Sequence, residues 1–346
     1  MINNILYLRD KILKRPNLIN GFIEVKPTKT DYIHSDLGSV AKKRLKENLN
    51  WKPFRPAGEL QKRSNAGETM ACVTYSAMNC LETVINYFIF LVKNEEAEPY
   101  QQEIVKVFER FNLIKNGEAN FSDRYIAKLS GTSVRGNNQK NIADAIRHYG
   151  LVSEDMWPYA DGWSNFYSNI PDEIIKSGQE LLKYIEFSYE WVNPVQFNEV
   201  KVFAPIQTSV YAWGNKVNGI YQRTELSKNH AVDNDYFEMD KYDGIFDSYN
   251  PFDKKVAWNF NLGYGMFYTI HLKENIFNKK KLKYYIDERK AKYLMCVEEN
   301  GEVYELKYDK LVYLDNQSFL TDRAKKAFNT GEMLPISKSA FNELIN

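Results

Sequence analysis

The sequence predicts an α+β protein whose main domain has two unlike lobes, and three observations carry the prediction. First, an apolar stretch runs from Cys72 to residue 92, with Val73, Met78, Leu81, Val84, Ile85, Phe88, Ile89 and Leu91 on nearly every side of a helix. A helix with so little polar surface belongs inside a domain. Second, residues 101–149 keep helical periodicity, broken by loops rich in Gly and Asn. Third, the texture changes near Pro205, after which short β-type runs alternate with turn residues. Helices followed by strands are the pattern of an α+β fold. A cleft is expected where two such lobes meet.

In chain order, residues 1–55 read as an N-terminal extension. It holds an amphipathic helix over 5–13, a joint at Pro16 and a Lys/Arg/Glu-rich helix over 37–49, which either packs on the main domain or masks its cleft. A polar loop leads from Gly58 into the Cys72 helix. Glu95, Glu96, Glu98 and Pro99 mark a turn, a helix follows over 101–111, and Asn116-Gly117 ends it. Ser122 caps a short helix in Phe121-Ser-Asp-Arg-Tyr-Ile-Ala-Lys-Leu. The loop Ser130-Gly-Thr-Ser-Val-Arg-Gly-Asn-Asn leads to a helix over 139–149, which Gly150 terminates. Strands are expected in 205–212, 229–232, 242–249 and 265–272. Beyond 273 the chain reads as an accessory module: a β-hairpin turning at Asn300-Gly301, with Cys296 in a strand, then helices over 322–328 and 337–344. The expected organisation is 1–55, then a main domain over 56–272 (helical to about 170, β-rich from about 171), then 273–346.

Composition narrows the function classes. At 346 residues the chain exceeds the usual size of one domain, and 44% hydrophobic content supports a sizeable core. A net charge of +1 gives no bulk attraction to nucleic acid. Three cysteines, Cys72, Cys80 and Cys296, do not form a disulfide framework and suit a reducing compartment. The N-terminus has no uninterrupted apolar core of a signal peptide. The longest apolar run, 84–92, is too short to span a bilayer and contains Asn86. No Cys/His cluster has metal-ligand spacing, and no glycine loop followed by Lys-Ser/Thr marks a phosphate site. The reading is therefore a cytoplasmic or particle-borne protein without cofactor, metal, nucleic acid or membrane.

Cys72 is placed at the N-terminus of the central helix, where unpaired N–H groups and the helix dipole favour a thiolate. Most free cysteines are only small buried hydrophobes, so the position needs partners before it implies chemistry. A thiolate nucleophile needs an imidazole to exchange its proton and a third group to hold that imidazole. Of His34, His148, His230 and His271, the first lies in the extension. His148 falls on a polar helix face, and His271 alternates with Ile270 and Leu272 in a strand. His230 opens an Ala-Val strand, and Asp247, 17 residues on, ends a neighbouring one. Adjacent antiparallel strands can bring the two side chains together.

At these residues the sequence resembles the papain-like cysteine peptidases. Cys72-Val-Thr-Tyr-Ser-Ala with Glu82 resembles the family's Cys-Trp-Ala-Phe-Ser-Ala…Glu helix, and Gly58, Asn65 and Gly67 match its approach. Phe121-Ser-Asp-Arg-Tyr-Ile-Ala-Lys-Leu-Ser-Gly resembles Leu-Ser-Glu-Gln-x-Leu-x-Asp-Cys. Gly136…Tyr149-Gly150…Trp157-Pro-Tyr is similar to Gly-Gly…Gly…Tyr-Pro-Tyr. Asn229-His-Ala-Val resembles Asp-His-Ala-Val, Phe246-Asp-Ser-Tyr resembles Lys-Asn-Ser-Trp, and Gly263-Tyr-Gly resembles the closing Gly-Tyr strand. The likeness runs in order over 56–272.

The resemblance implies a papain-like two-lobed fold, with a helical left lobe, a β-rich right lobe and a cleft between them. Cys72 and His230 would face each other across it, Asp247 standing where the family carries Asn. It also implies peptide-backbone binding at Gly136 and Asn137, with Asn229 and Ala231 beside the histidine. The family's side-chain oxyanion donor, a Gln, falls on Ala66, leaving the Cys72 backbone N–H. Gln61 would substitute only after a loop shift. Val73 and Tyr249 replace two tryptophans, and the disulfide partners fall on Thr69 and Val134. The usual prosegment motif is not evident in 1–55. Two functions follow as expectations: a thiol endopeptidase acting on a peptide or protein substrate, or a weakened scaffold within a larger assembly. That assembly could be a viral or phage particle, docked through 273–346.

Overall fold

A computed structural model describes residues 21–28, 31–34 and 44–273, together with five strands further on. The helices expected over 5–13, 322–328 and 337–344 lie outside the described residues. The chain divides into two compact units, Met1–Leu272 and Lys273–Asn346.

The helix Cys72–Lys93 forms the centre of the first unit, and every residue from Cys72 to Asn86 is buried. It is long and apolar enough to cross a membrane, more so than the 84–92 run alone suggests, yet 83% of its apolar window is enclosed by the protein. It is a core helix. Its buried polar side chains are used as pins: Asn86 Oδ1 accepts the Ala119 N–H at 2.8 Å and Glu82 Oε1 accepts the Phe121 N–H at 2.6 Å. Buried polar groups are tolerated when hydrogen-bonded in this way.

Shorter helices surround it. Pro99–Arg110 opens with a capping box between Glu98 and Gln101. Ser122 Oγ accepts from the Tyr125 N–H at 3.2 Å and starts Asp123–Leu129. Asn138 Oδ1 accepts from the Asn141 N–H at 3.0 Å and starts Gln139–Tyr149. Trp163–Phe166 and Asp172–Leu181 complete the helical side.

The other side is an eight-stranded sheet in the order Ile185–Val192, Gly265–Leu272, Ile206–Val210, His230–Glu238, Tyr242–Phe246, Asp253–Ala257, Ile220–Tyr221, Lys216–Val217. Its pairings are antiparallel except that of Ile220–Tyr221 with Asp253–Ala257. The α+β class and the two-lobed arrangement are those expected. The strand Ile185–Val192 was not read from the sequence, although Ile185, Phe187, Tyr189 and Trp191 alternate along it and all four are buried.

Two buried glutamines lock the lobes together. Gln207 Nε2 donates to Val73 O at 2.6 Å and to Ser76 Oγ at 2.8 Å, within the first five residues of the Cys72 helix. Gln139 Nε2 donates to Gln207 O at 3.1 Å and Tyr264 O at 3.2 Å. The helix terminus that carries Cys72 is thereby fixed against the sheet that carries His230.

The helix expected over 37–49 is not helical in its described part. The N–H groups of Leu45 and Lys46 both go to Val202 O, at 2.7 and 3.1 Å, and Leu49 turns to φ 56°. Pairing with the body replaces the i→i−4 bonds a helix would need. Nearby, the Arg55 guanidinium forks onto Asp235 with Nε and Nη2 each 2.6 Å from a carboxylate oxygen.

The second unit is a five-stranded antiparallel sheet in the order Lys310–Tyr313, Val303–Lys307, Leu294–Glu298, Leu282–Ile286, Leu334–Ile336. The expected hairpin is its middle, with Cys296 opposite Tyr304.

Candidate active site

Cys72 is the first residue of the central helix and is fully buried. Met70 takes a left-handed φ of 56°, uncommon for a side-chain-bearing residue, and swings the chain into the helix. Ala71 provides no side-chain cap; its carbonyl accepts the Thr74 and Tyr75 N–H groups at 2.8 and 3.0 Å, which closes the first turn of the helix.

His230 opens the strand His230–Glu238, and Asp247 directly follows its partner strand Tyr242–Phe246. Antiparallel register brings the pair together: the His230 Nε2–H donates to Asp247 Oδ1 at 2.6 Å, with both side chains wholly buried. That leaves His230 Nδ1 without another hydrogen-bond partner, and the Cys72 thiol is the polar group beside it. Burial alone would push the imidazole down. The Asp247 carboxylate, with a contribution from Cys72, instead pushes it up to about 10. Burial acts to raise Asp247, but His230 and Lys254 hold it below the ordinary carboxylate range. The rings of Tyr249 and Trp213 enclose the imidazole at centroid distances of 5.5 and 6.3 Å.

Ala66 and Gln61 stand in unlike places. Residues 62–67 swing outward with Ala66 exposed, while Gln61 is fully buried, and Thr69 Oγ1 closes the loop's neck onto Gln61 O at 2.9 Å. The Gln61 amide nitrogen donates to Tyr249 Oη at 2.6 Å and Glu68 Oε1 at 2.7 Å, and its oxygen accepts from Ser248 Oγ at 2.9 Å. Tyr249 Oη in turn donates to Glu68 Oε2, and burial followed by Glu68 pushes the phenol strongly up. Counting residues back from Cys72 assumes a constant spacing, and a looped-out segment breaks that assumption.

The N-terminal segment lies on the site. Gly21 O accepts the Asn137 N–H at 3.1 Å and the Ile23 N–H donates to Asn137 O at 2.7 Å, giving a parallel bridge centred on Phe22. A β-carbon at Gly21 would stand 2.6 Å from Cys72 Sγ, and one at Gly136 would stand 2.0 Å from Gly21 O. Gly136 holds φ 86°, so glycine is required there on both counts. The Asn137 side chain is turned away and saturated by Ser130, Thr132, Asn138 and Asn141. Its main chain is left for the strap. Further along, Trp191 bonds Tyr32 and His34 through the main chain, and buried His34 sits between Glu190 at 3.2 Å and Glu199 at 3.4 Å.

Asn229 and Ala231 are both buried beside His230. Asn229 Oδ1 accepts from the Ala212 N–H at 2.8 Å, and Ala231 pairs with Ser209 inside the sheet. His148 is exposed on its helix, and His271 lies in the Gly265–Leu272 strand. Among the described residues no group of His, Cys, Asp and Glu is arranged to hold a metal ion.

No protein-family model matches this sequence, and no curated protein is significantly similar to it. Among solved structures the chain is similar to xylellain, a cysteine protease from Xylella fastidiosa, at 15% identity and a TM-score of 0.45, covering 75% of this chain and 97% of that one. It is similar to procathepsin B from Trypanosoma congolense at 10% identity and a TM-score of 0.42, covering 72% and 85% of the two chains. A structure from work on the mite allergens Blo t 1 and Der p 1 gives 12% identity and 0.37 over 70% and 74%. Likenesses of this size leave the case for the site on its own geometry.

Proposed function

We propose that the chain hydrolyses peptide bonds through Cys72, His230 and Asp247. The observation that carries this reading is the orientation of His230: Nε2 is fixed on Asp247 and Nδ1 is left for the thiol. In the reaction the Cys72 thiolate adds to the peptide carbonyl carbon, and the Nδ1 proton of His230 passes to the leaving amine as the C–N bond breaks. Water, deprotonated by the same nitrogen, then adds to the thioester and releases the acid and the thiol. The negative oxygen of each tetrahedral intermediate is held by the Cys72 backbone N–H and by the Gln61 amide, once Gln61 is released from Glu68. Gly136 and Asn137 offer the main chain that the substrate would use, so the strap and the substrate compete for one place.

A second reading, a structural or binding component built on the same fold, is favoured by the burial of Cys72 beneath Gly21 and by the full engagement of the Gln61 amide. An epoxide inactivator of thiol peptidases separates the two, applied to the full chain and to the full chain carrying Gly21→Val. The adduct site is read by peptide mass spectrometry, with His230→Ala alongside. Fast modification confined to Cys72 and dependent on His230 supports hydrolysis. Modification of Cys72 no faster than of Cys80 or Cys296, even in the Gly21→Val chain, supports the component.

A further inference from the structure

Asp247 is a carboxylate in a place where nothing of its charge reaches solvent: it is 1% exposed, and its two oxygens go to different partners. Oδ1 takes the His230 imidazole at 2.6 Å, and Oδ2 takes the Lys254 ammonium at 2.7 Å. The Lys254 side chain is itself 2% exposed. Its ammonium also donates to Tyr249 O at 2.5 Å and to Pro251 O, and it lies 5.4 Å from the centre of the Trp213 ring. One cation therefore holds both the carboxylate and the turn that follows it. A lysine buried so completely is costly unless it is paired and fully hydrogen-bonded.

The charges of the site can be counted. A Cys72 thiolate and a His230 imidazolium cancel, and the Asp247 carboxylate leaves one negative charge in a region shut off from water. That surplus would hold protons on the thiol and the imidazole alike, because a negative charge disfavours a thiolate and favours an imidazolium. The Lys254 ammonium removes it. A neutral amide at 247 would need no such cation.

We propose that Lys254 is a positioning residue, the counter-ion that makes an aspartate usable as the orienting group of the Cys72–His230 pair. This rests on the hydrolytic reading for its purpose, but the assignment itself concerns only the four groups. The other charged or titratable groups around them include Tyr249 and Glu68 from the adjoining loops, Tyr167 beside Cys72, Lys216 and Tyr221 from neighbouring strands, and Asp253 on Lys254's own strand.

The test titrates the full chain carrying wild-type residues, Lys254→Met, Asp247→Asn, or Asp247→Asn with Lys254→Met. The Cys72 thiolate is followed by its ultraviolet absorbance, as the difference from Cys72→Ser, and the His230 ring by its nitrogen resonances. Lys254→Met is expected to move the acid limb of the thiolate and the His230 midpoint upward by about one unit. The double variant should bring both back, since a neutral pair needs no counter-ion, and it should fold where Lys254→Met does not. Titrations unmoved by Lys254→Met, or a double variant displaced as far as Lys254→Met, would overturn the assignment and leave Lys254 a purely structural tie. If wild type shows no Cys72 thiolate at any pH, the hydrolytic reading fails instead, and the His230 midpoints still decide the role of Lys254.

Discussion

Gly21 and Cys72 are in contact across the site: the missing β-carbon of Gly21 would lie 2.6 Å from the Cys72 sulfur. The closure of the site is thus a main-chain contact, possible because residue 21 has no side chain.

Gly21→Val is the direct probe of that closure. The strap is held there by two main-chain hydrogen bonds to Asn137. At about 1 kcal/mol each, their loss corresponds to roughly a thirtyfold gain in the open population. Cys72 alkylation by a small reagent should accelerate by that order, with Cys80 unchanged. An unchanged Cys72 rate would mean that the strap does not govern access.

Gln61 offers a test that also discriminates between two positions. In the Gly21→Val chain, Gln61→Ala should lower turnover by about 100- to 1000-fold with little change in KM. Adding Ala66→Gln should restore nothing, because residue 66 lies on the exposed loop. Recovery by Ala66→Gln would instead put the oxyanion donor at the position counted from the sequence.

The His230–Asp247 pair makes stability depend on pH in a stated direction. His230 is raised from 6.5 to about 10, so its contribution is complete below 6.5 and disappears as pH rises through 10. Asp247 is lowered from 3.8, so its contribution is present above 3.8 and disappears as pH falls below it. The stability gap between wild type and His230→Ala, from urea unfolding, should therefore be widest from about pH 4 to 6.5 and shrink toward pH 10. A gap that widens from pH 7 to 10 would contradict the assignment.

Asp233 gives the opposite sign to Asp247. It is wholly buried beside Asp235 and Cys80, and burial, then Asp235, raises its carboxyl well above the ordinary 3.8. A raised acid binds more protons folded than unfolded, so it costs stability progressively as pH rises above 3.8. Asp233→Asn should be near neutral at pH 4 and more stable than wild type by about 1 kcal/mol at pH 8. Equal stabilities at both pH values would show that the carboxyl keeps its ordinary titration.

The parts of this molecule that were legible in the sequence are those where residue type and order carry the information. An apolar stretch interrupted by Asn79, Glu82 and Asn86 reads as a core helix, and the meeting of His230 with Asp247 follows from their places at the ends of adjacent strands. The burial of Gln61 against Tyr249 and Glu68 could not be read by counting residues from Cys72, because the exposed stretch 62–67 between them does not count toward distance in space. The strap on Asn137 uses main-chain groups, which every residue carries, so no side-chain pattern announces it. Lys254 looks like any strand lysine until the fold sets its ammonium against Asp247. The strand Ile185–Val192, by contrast, carried a readable alternation.

The bridge between Phe22 and Asn137 has a kinetic side. Residue 21 is joined to residue 72 by a continuous chain that is itself pinned at Trp191 and Val202, so the strap meets its groove intramolecularly, at a local concentration set by that connection. Dilution leaves that concentration untouched. Any free peptide must match it to occupy the same groove, so the strap's hold on the groove would be the same at any protein concentration and would yield only to a tighter competitor or to a break in the connecting chain.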